Sequence, residues 1–137
     1  MITFEREVRF QDVDAAGLLF FPEFLSYAHE AMEQLFASLE GGYVRLITER
    51  KVGLPAVRIQ SVFHAPVRYG DRLSIETRVA ALGNRSMTLG HRFCRQDGVL
   101  AAELEHTVVT TDLNLLRSCE MPADVRRIAE AHLDPDA

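Results

Sequence analysis

Apolar and polar residues change period twice along this chain, and the changes mark its elements. Residues 3–10 alternate loosely, with Val8 and Phe10 in step, which predicts a strand. From Pro22 the apolar positions move to helical spacing: Phe24, Leu25, Ala28, Ala31, Met32, Leu35, Phe36 and Leu39 recur. Glu23, Ser26, Glu30, Glu33 and Gln34 fall on the other side. Pro22 suits a first helical turn, where a missing N–H loses no partner. The pair Gly41-Gly42 is expected to end the helix. So broad an apolar stripe predicts a helix embraced by a sheet. A shorter helix or turn is expected over 43–51.

The second half alternates. Val57, Ile59, Ser61, Phe63 and Ala65 keep step over 56–67, followed by a turn at Tyr69-Gly70-Asp71. Leu73, Ile75, Thr77 and Val79 come next, then a turn at Gly83-Asn84. Met87, Leu89, His91 and Phe93 lead to Asp97-Gly98, a hairpin signal. The last strand is expected over 100–111, with Leu104, His106 and Val108 on one face, and a closing helix over 122–133. Strands at this spacing predict an antiparallel meander. The fold class is therefore α+β, an antiparallel sheet around one long helix. One sheet covering one helix leaves an edge or face to protect, so self-association through the sheet is expected.

Composition narrows the function classes. The 137 residues suit a single domain, 1–137, and 47% hydrophobic with 26% charged residues is an ordinary globular balance. A formal net charge of −5 gives no reason to expect a nucleic-acid partner. No apolar run approaches the ~18 residues of a membrane span, and the N-terminus carries no basic-then-apolar leader, so a cytoplasmic protein is expected. Cys94 and Cys119 have no metal-type spacing and read as ordinary thiols of a reducing compartment. The three strand histidines His64, His91 and His106 read as interior or interface residues, and no metal site or cofactor is expected.

The chemistry concentrates in Val8–Phe24, where a strand passes through an Asp-rich turn into the helix start. A carboxylate on a tight turn, beside unpaired helix N–H groups, suits addition to an ester-like carbonyl. The structural alternative for Asp14 is an Asx-turn or helix cap. Asp12, two residues earlier, is expected to face elsewhere as a turn or ion-pair residue.

The run Asp12-Val13-Asp14-Ala15-Ala16-Gly17, followed by Leu18-Leu19-Phe20-Phe21-Pro22, resembles the signature of hotdog-fold thioesterases, most of all the pseudomonad type of 4-hydroxybenzoyl-CoA thioesterase. Val52-Gly53-Leu54-Pro55, Tyr69–Thr77 and Leu116–Asp124 resemble the same family, in order along nearly the whole chain. The resemblance implies an acyl-CoA thioesterase with Asp14 as nucleophile or general base and the Phe21 backbone N–H as oxyanion donor. It implies that Gly17 leaves space beside the substrate, in addition to permitting a special backbone turn. Phe20 and Phe24 are candidates for contact with the acyl group.

His29 stands where the pseudomonad family has an aspartate near the aromatic acyl group, and the pair His29-Glu30 is similar to that of 1,4-dihydroxy-2-naphthoyl-CoA thioesterases. Arg85 matches one member of the basic cluster that holds coenzyme A in the family; Gly83 and Asn84 fill the other two positions, with Arg68, Arg72 and Arg92 as substitutes. Thioesterases associated with the Tol-Pal system carry a histidine where this chain has Phe21, which disfavours an aliphatic substrate. A non-catalytic acyl-CoA-binding module would not need Asp14. A hotdog dehydratase would need a different acid–base pair on the central helix. The resemblance also implies a homodimer or homotetramer with the site shared between subunits.

Overall fold

The computed structural model describes residues 1–136. A first strand β1 (Ile2–Glu7) is followed by a single 3-10 turn (Phe10–Asp12) and the long helix α1 (Phe21–Leu35). Helix α2 (Gly42–Thr48), the short β2 (Val52–Gly53) and β3 (Ala56–Phe63) come next. Then β4 (Arg72–Leu82), β5 (Ser86–Arg95) and β6 (Leu100–Val109) form the meander. The short strands β7 (Thr111–Asp112) and β8 (Arg117–Ser118) precede helix α3 (Ala123–Ala131).

Five strands form one antiparallel sheet in the order β1-β4-β5-β6-β3, and β2-β7-β8 form a small second one. Strand alternation sends Leu73, Ile75, Val79, Leu89, Phe93, Leu104 and Val108 to one face, where they are buried. Against that face α1 lays Phe24, Tyr27, Ala28, Ala31, Met32 and Leu35, all buried at helical spacing. The other face is polar, with Glu76, Arg92 and Glu103 linked in ion pairs.

Four expectations are corrected. The first strand ends at Glu7: the Val8 N–H still bonds to the Asp71 carbonyl, but the Asp71 N–H turns to the Arg68 carbonyl and the Gly70 N–H takes the Val8 carbonyl, so the chain leaves the ladder there. Helix α1 stops at Leu35, although Phe36 and Leu39 are buried as the pattern implied. Periodic burial continues through tighter turns, with Ala37 bonded back to Gln34 and Leu39 to Phe36, and Gly41, at φ +77°, caps the start of α2. The third correction is that β3 is not β4's neighbour. Strand β1 occupies that place, from Ile2 opposite Thr77 to Glu7 opposite Arg72, so β3 crosses over and pairs with β6. This strand also ends at Phe63, short of the expected 67, and 64–71 becomes the crossing segment. His64 sits there exposed, beside Glu103 at 3.0 Å.

One buried carboxylate ties the beginning of the chain together. Asp12 is 5% exposed. Its Oδ2 accepts the Tyr27 hydroxyl at 2.6 Å and the Arg9 N–H at 3.2 Å, and lies 3.4 Å from Arg6 Nη1. The Arg6 guanidinium sits 4.4 Å over the Tyr27 ring and bonds to Glu30 at 2.9 Å. Burial, reinforced by the Asp12 bond, pushes the Tyr27 hydroxyl well above its usual pKa, so it stays a proton donor. Strand β1, the turn and α1 thus converge on one oxygen.

Two other buried polar groups lie on the sheet. His91 and His106 stack at 5.0 Å between ring centroids, and both are held neutral. Burial lowers His91 to about 3, helped by His106 and Arg78. Burial also lowers His106 to about 4, helped by His29.

Two predictions follow from these groups. Tyr27→Phe leaves the Asp12 carboxylate short of a donor and is expected to destabilise the fold by about 1–3 kcal/mol in urea unfolding. For the histidines, the unfolded rings bind protons near the ordinary 6.5, whereas the folded rings do so only near 3–4. Their contribution is therefore complete above about pH 6.5 and is lost as pH falls through 6.5 toward 3, with a limiting slope of about 2.7 kcal/mol per pH unit for two protons. Urea midpoints measured from pH 7.5 to 5 should fall, and the fall should shrink in His91→Leu.

Candidate active site

The Asp-rich turn is a tight loop closed at both ends. Val13 bridges Leu19, the Asp14 N–H bonds to the Leu18 carbonyl at 2.9 Å, and the Gly17 N–H returns to the Asp14 carbonyl at 2.9 Å. Gly17 adopts φ +75°, a left-handed conformation that favours glycine, and a Cβ there would meet nothing within 4 Å. The backbone turn expected of this glycine thus has a geometric counterpart.

Asp14 forms the Asx-turn that was its structural alternative: Oδ1 accepts the Ala16 N–H at 2.9 Å and the Leu18 N–H at 3.2 Å. Those bonds fix the carboxyl plane and leave Oδ2 without a protein partner, on an exposed residue. An Asx-turn and a reactive carboxylate are compatible here, because one oxygen orients the other. Asp12 does face elsewhere, into the core, as the ion-pair reading expects.

The crossing segment holds this turn from the other side. The Leu19 N–H bonds to the Val67 carbonyl at 2.7 Å and the Tyr69 N–H to the Gly17 carbonyl at 3.1 Å. A third bond, from the Phe20 N–H to the Asp12 carbonyl at 2.9 Å, leads the chain directly into α1.

At the start of α1, most N–H groups are accounted for. Pro22 has none, and the Glu23 N–H turns back to the Phe20 carbonyl at 2.8 Å. The Phe21 N–H has no backbone acceptor among the described residues, so the first turn aims one open donor outward. The Phe21 ring is 65% exposed and packs edge-on against Phe20. Phe24, by contrast, is buried between Phe63 and Phe93, at 5.1 and 5.3 Å. It belongs to the core, since it points under the sheet a turn beyond Phe21.

An apolar cavity of about 200 Å³ continues along the helix, between α1 and the β6–β3 side of the sheet. Leu25, Ala28 and Met32 line one wall, with Ile59, Leu104 and Val108 opposite. Leu25 and Ala28 lie one and two turns from Phe21, roughly 6 and 10 Å along the axis at ~1.5 Å per residue. Two polar residues interrupt the lining, His29 and His106. His29 bonds to Glu33 at 2.9 Å and meets Tyr43 edge-on. Glu30 is instead taken up by Arg6, so the expected His29-Glu30 pair is divided between two environments.

The arginines separate clearly. Arg85, on the β4–β5 turn, is exposed and bonds to Ser118 at 3.2 Å. Arg68 is exposed beside the Asp14 turn, bridging Leu18. Neither has a carboxylate partner among the described residues. Arg92 lies on the sheet's outer face between Glu76 and Glu103, and Arg72 pairs with Glu5 at 3.8 Å, so both have the carboxylate neighbours that Arg85 and Arg68 lack. His106, expected as an interior or interface residue, is buried; only the crossover of β3 shows that its strand borders the cavity. No group of three or more potential metal ligands occurs among the described residues, and no helix there is long and apolar enough to cross a membrane.

Comparison with known proteins gives a consistent result. Residues 8–128 match the Thioesterase-like superfamily. A 1,4-dihydroxy-2-naphthoyl-CoA hydrolase of Synechococcus sp. (strain CC9605) is 33% identical over 132 residues, 92% of this chain and 87% of that protein. One from Synechococcus elongatus is 38% identical over 90 residues, 65% of this chain and 66% of that protein. Among solved structures, a gentisyl-coenzyme A thioesterase superposes with a TM-score of 0.82 at 30% identity, covering 91% of this chain and 99% of that one. A 1,4-dihydroxy-2-naphthoyl-CoA thioesterase from Synechocystis gives 0.85 at 25% identity, covering 98% and 97%. These relatives are not of the 4-hydroxybenzoyl-CoA type that the motifs most resembled. With its sheet wrapped around α1 and a family match over nearly its whole length, the chain is a hotdog-fold thioesterase of the thioesterase-like superfamily.

Proposed function

We propose that this thioesterase hydrolyses a hydroxylated aromatic acyl-CoA of the 1,4-dihydroxy-2-naphthoyl type, giving the free acid and coenzyme A. One observation carries the reading: Asp14 keeps a free Oδ2, the Phe21 N–H is open at the start of α1, and an apolar cavity begins at Leu25, one turn further along the same helix. At about 200 Å³ the cavity is smaller than the roughly 300–1,000 Å³ that holds a whole drug-sized ligand, which suits the acyl part alone. The names of the relatives favour the bicyclic acyl group over 4-hydroxybenzoyl, which was the first expectation from the motifs.

In this reading the thioester carbonyl oxygen sits against the Phe21 N–H. That donor belongs to a helix start, whose partial positive charge stabilises the oxyanion as it forms. Asp14 either attacks the carbonyl carbon, giving an anhydride that water opens, or takes the proton from an attacking water. Both routes expel the coenzyme A thiolate, whose pKa of roughly 8.5 by analogy with cysteine makes it leave without a dedicated acid. In this reading Arg85 and Arg68, both exposed and without a carboxylate partner among the described residues, hold the coenzyme A phosphates.

The site is completed by a second copy of the chain. Strand β3 is a sheet edge, and Val57, Ile59, Val62 and Phe63 are exposed along it. Ile59 also lines the cavity, so pairing two such edges would roof it.

Asp14→Asn is expected to abolish thiol release while the variant keeps its fold. Phe21→Pro keeps a residue suited to a first helical turn but removes the N–H, and should lower kcat about 10²–10³-fold. Phe21→Ala, which keeps the N–H, should stay within about tenfold of the parent; equal losses in both would rule out the backbone role. Sedimentation velocity should show a dimer or higher oligomer. The double variant Val57→Lys/Val62→Lys should sediment as an inactive monomer, and a fully active monomer would refute the shared site.

A further inference from the structure

The cavity has one polar atom that neither the family match nor the mechanism uses. His106 is 7% exposed, and its ring belongs to a chain of hydrogen bonds running across the sheet. Thr77 Oγ1 lies 2.8 Å from His91 Nδ1, and His91 Nε2 lies 3.1 Å from His106 Nδ1. Every nitrogen along this chain has a partner except the last, His106 Nε2. Among the described residues the only fully enclosed side-chain polar atom without a partner is Thr110 Oγ1. His106 Nε2 is therefore open, and the space it opens to is the cavity that His106 lines.

The chain also sets what that atom offers. Both rings are neutral, so each carries one N–H. If Thr77 donates to His91 Nδ1, then His91 Nε2 donates to His106 Nδ1, and His106 Nε2 carries the remaining hydrogen. In the reverse order the Thr77 hydroxyl hydrogen is left without an acceptor in the dry interior, where an unmade bond is costly. The first order satisfies every group along the chain, and it aims an N–H donor into a cavity whose only other polar lining residue is His29. His29, tied to Glu33 through Nε2, stands on the opposite wall with Nδ1 uncommitted. A hydroxyl both accepts and donates, and it is the group that meets such a pair.

We propose that His106, oriented by the Thr77–His91 relay, is a specificity-determining residue that donates a hydrogen bond from Nε2 to a ring hydroxyl of the acyl group. The proposal deepens the thioesterase reading and rests on it for the identity of the ligand. It explains why a thioesterase would keep two histidines in its core: a donor held by two further buried groups has one orientation and loses little freedom on binding. A ring lacking the hydroxyl would bury this N–H without a partner, so the site selects against it.

The test uses matched pairs: 1,4-dihydroxy-2-naphthoyl-CoA against 2-naphthoyl-CoA, and 4-hydroxybenzoyl-CoA against benzoyl-CoA. The parent is expected to prefer the hydroxylated member of at least one pair by about 10–100-fold in kcat/KM. In His106→Leu that preference should collapse, through loss on the hydroxylated member with little change on the other. His106→Gln, which keeps a donor, should retain part of it, and is the second variant should the leucine protein not fold. Equal losses on both members would make His106 a packing residue and overturn the proposal, as would an unchanged preference. Binding of free 1,4-dihydroxy-2-naphthoate and 2-naphthoate to the same variants, followed by calorimetry, separates the two readings. If no acyl-CoA is turned over, the thioesterase reading fails, while His106-dependent discrimination between the free acids still decides this one.

Discussion

The Asp12 carboxylate is the constraint on which the rest of the site depends. A charge this deeply buried is tolerated only with several partners, and these come from three separate elements: Arg6 of β1, the Arg9 N–H before the turn, and Tyr27 of α1. Moving any of the three strands the charge. The Asp12 carbonyl meanwhile holds the Phe20 N–H, one residue before the open donor of Phe21. Asp12 thus sets the relation between the Asp14 turn and the helix start.

The sheet order does the remaining work of assembly. Because β1 takes the place beside β4, β3 must cross to β6, and the crossing segment passes over the Asp14 turn and bonds to it twice. The same crossover puts a solvent-facing strand next to β6. The space between α1 and that strand is not filled by core side chains, and the cavity opens there. Turn, cavity and unprotected edge are consequences of one topological choice.

Within this frame the polar residues under the sheet divide into two kinds. Tyr27 is closed, its hydroxyl answered by Asp12 Oδ2 inside the protein. His106 is answered on one side only, and its open side faces the cavity. Along β6 the same strand period that buries Leu104 and Val108 carries His106 between them, so a polar atom reaches an apolar site without breaking the pattern.

Much of this was legible from the residues alone. The 3.6-residue recurrence from Phe24 to Leu35 and the alternation along 73–79, 87–93 and 100–111 report burial, and burial is what built α1 and the meander. Asp14, Gly17 and Pro22 act through local backbone geometry, which the sequence encodes within a few residues. Long-range pairing was not legible. Nothing near 56–63 states that β6 is its partner, because strand alternation is the same whichever neighbour accepts the hydrogen bonds. The fates of Glu30, Phe24 and Arg92 were decided by what the fold set opposite them: Arg6, two aromatic rings and a pair of glutamates. The sequence by itself determined the elements, the Asp-rich turn and the open helix start, since each follows from neighbours in the chain. The tertiary structure alone decided the cavity, the outward-facing arginine and the open nitrogen of His106, since each depends on residues that meet only after folding.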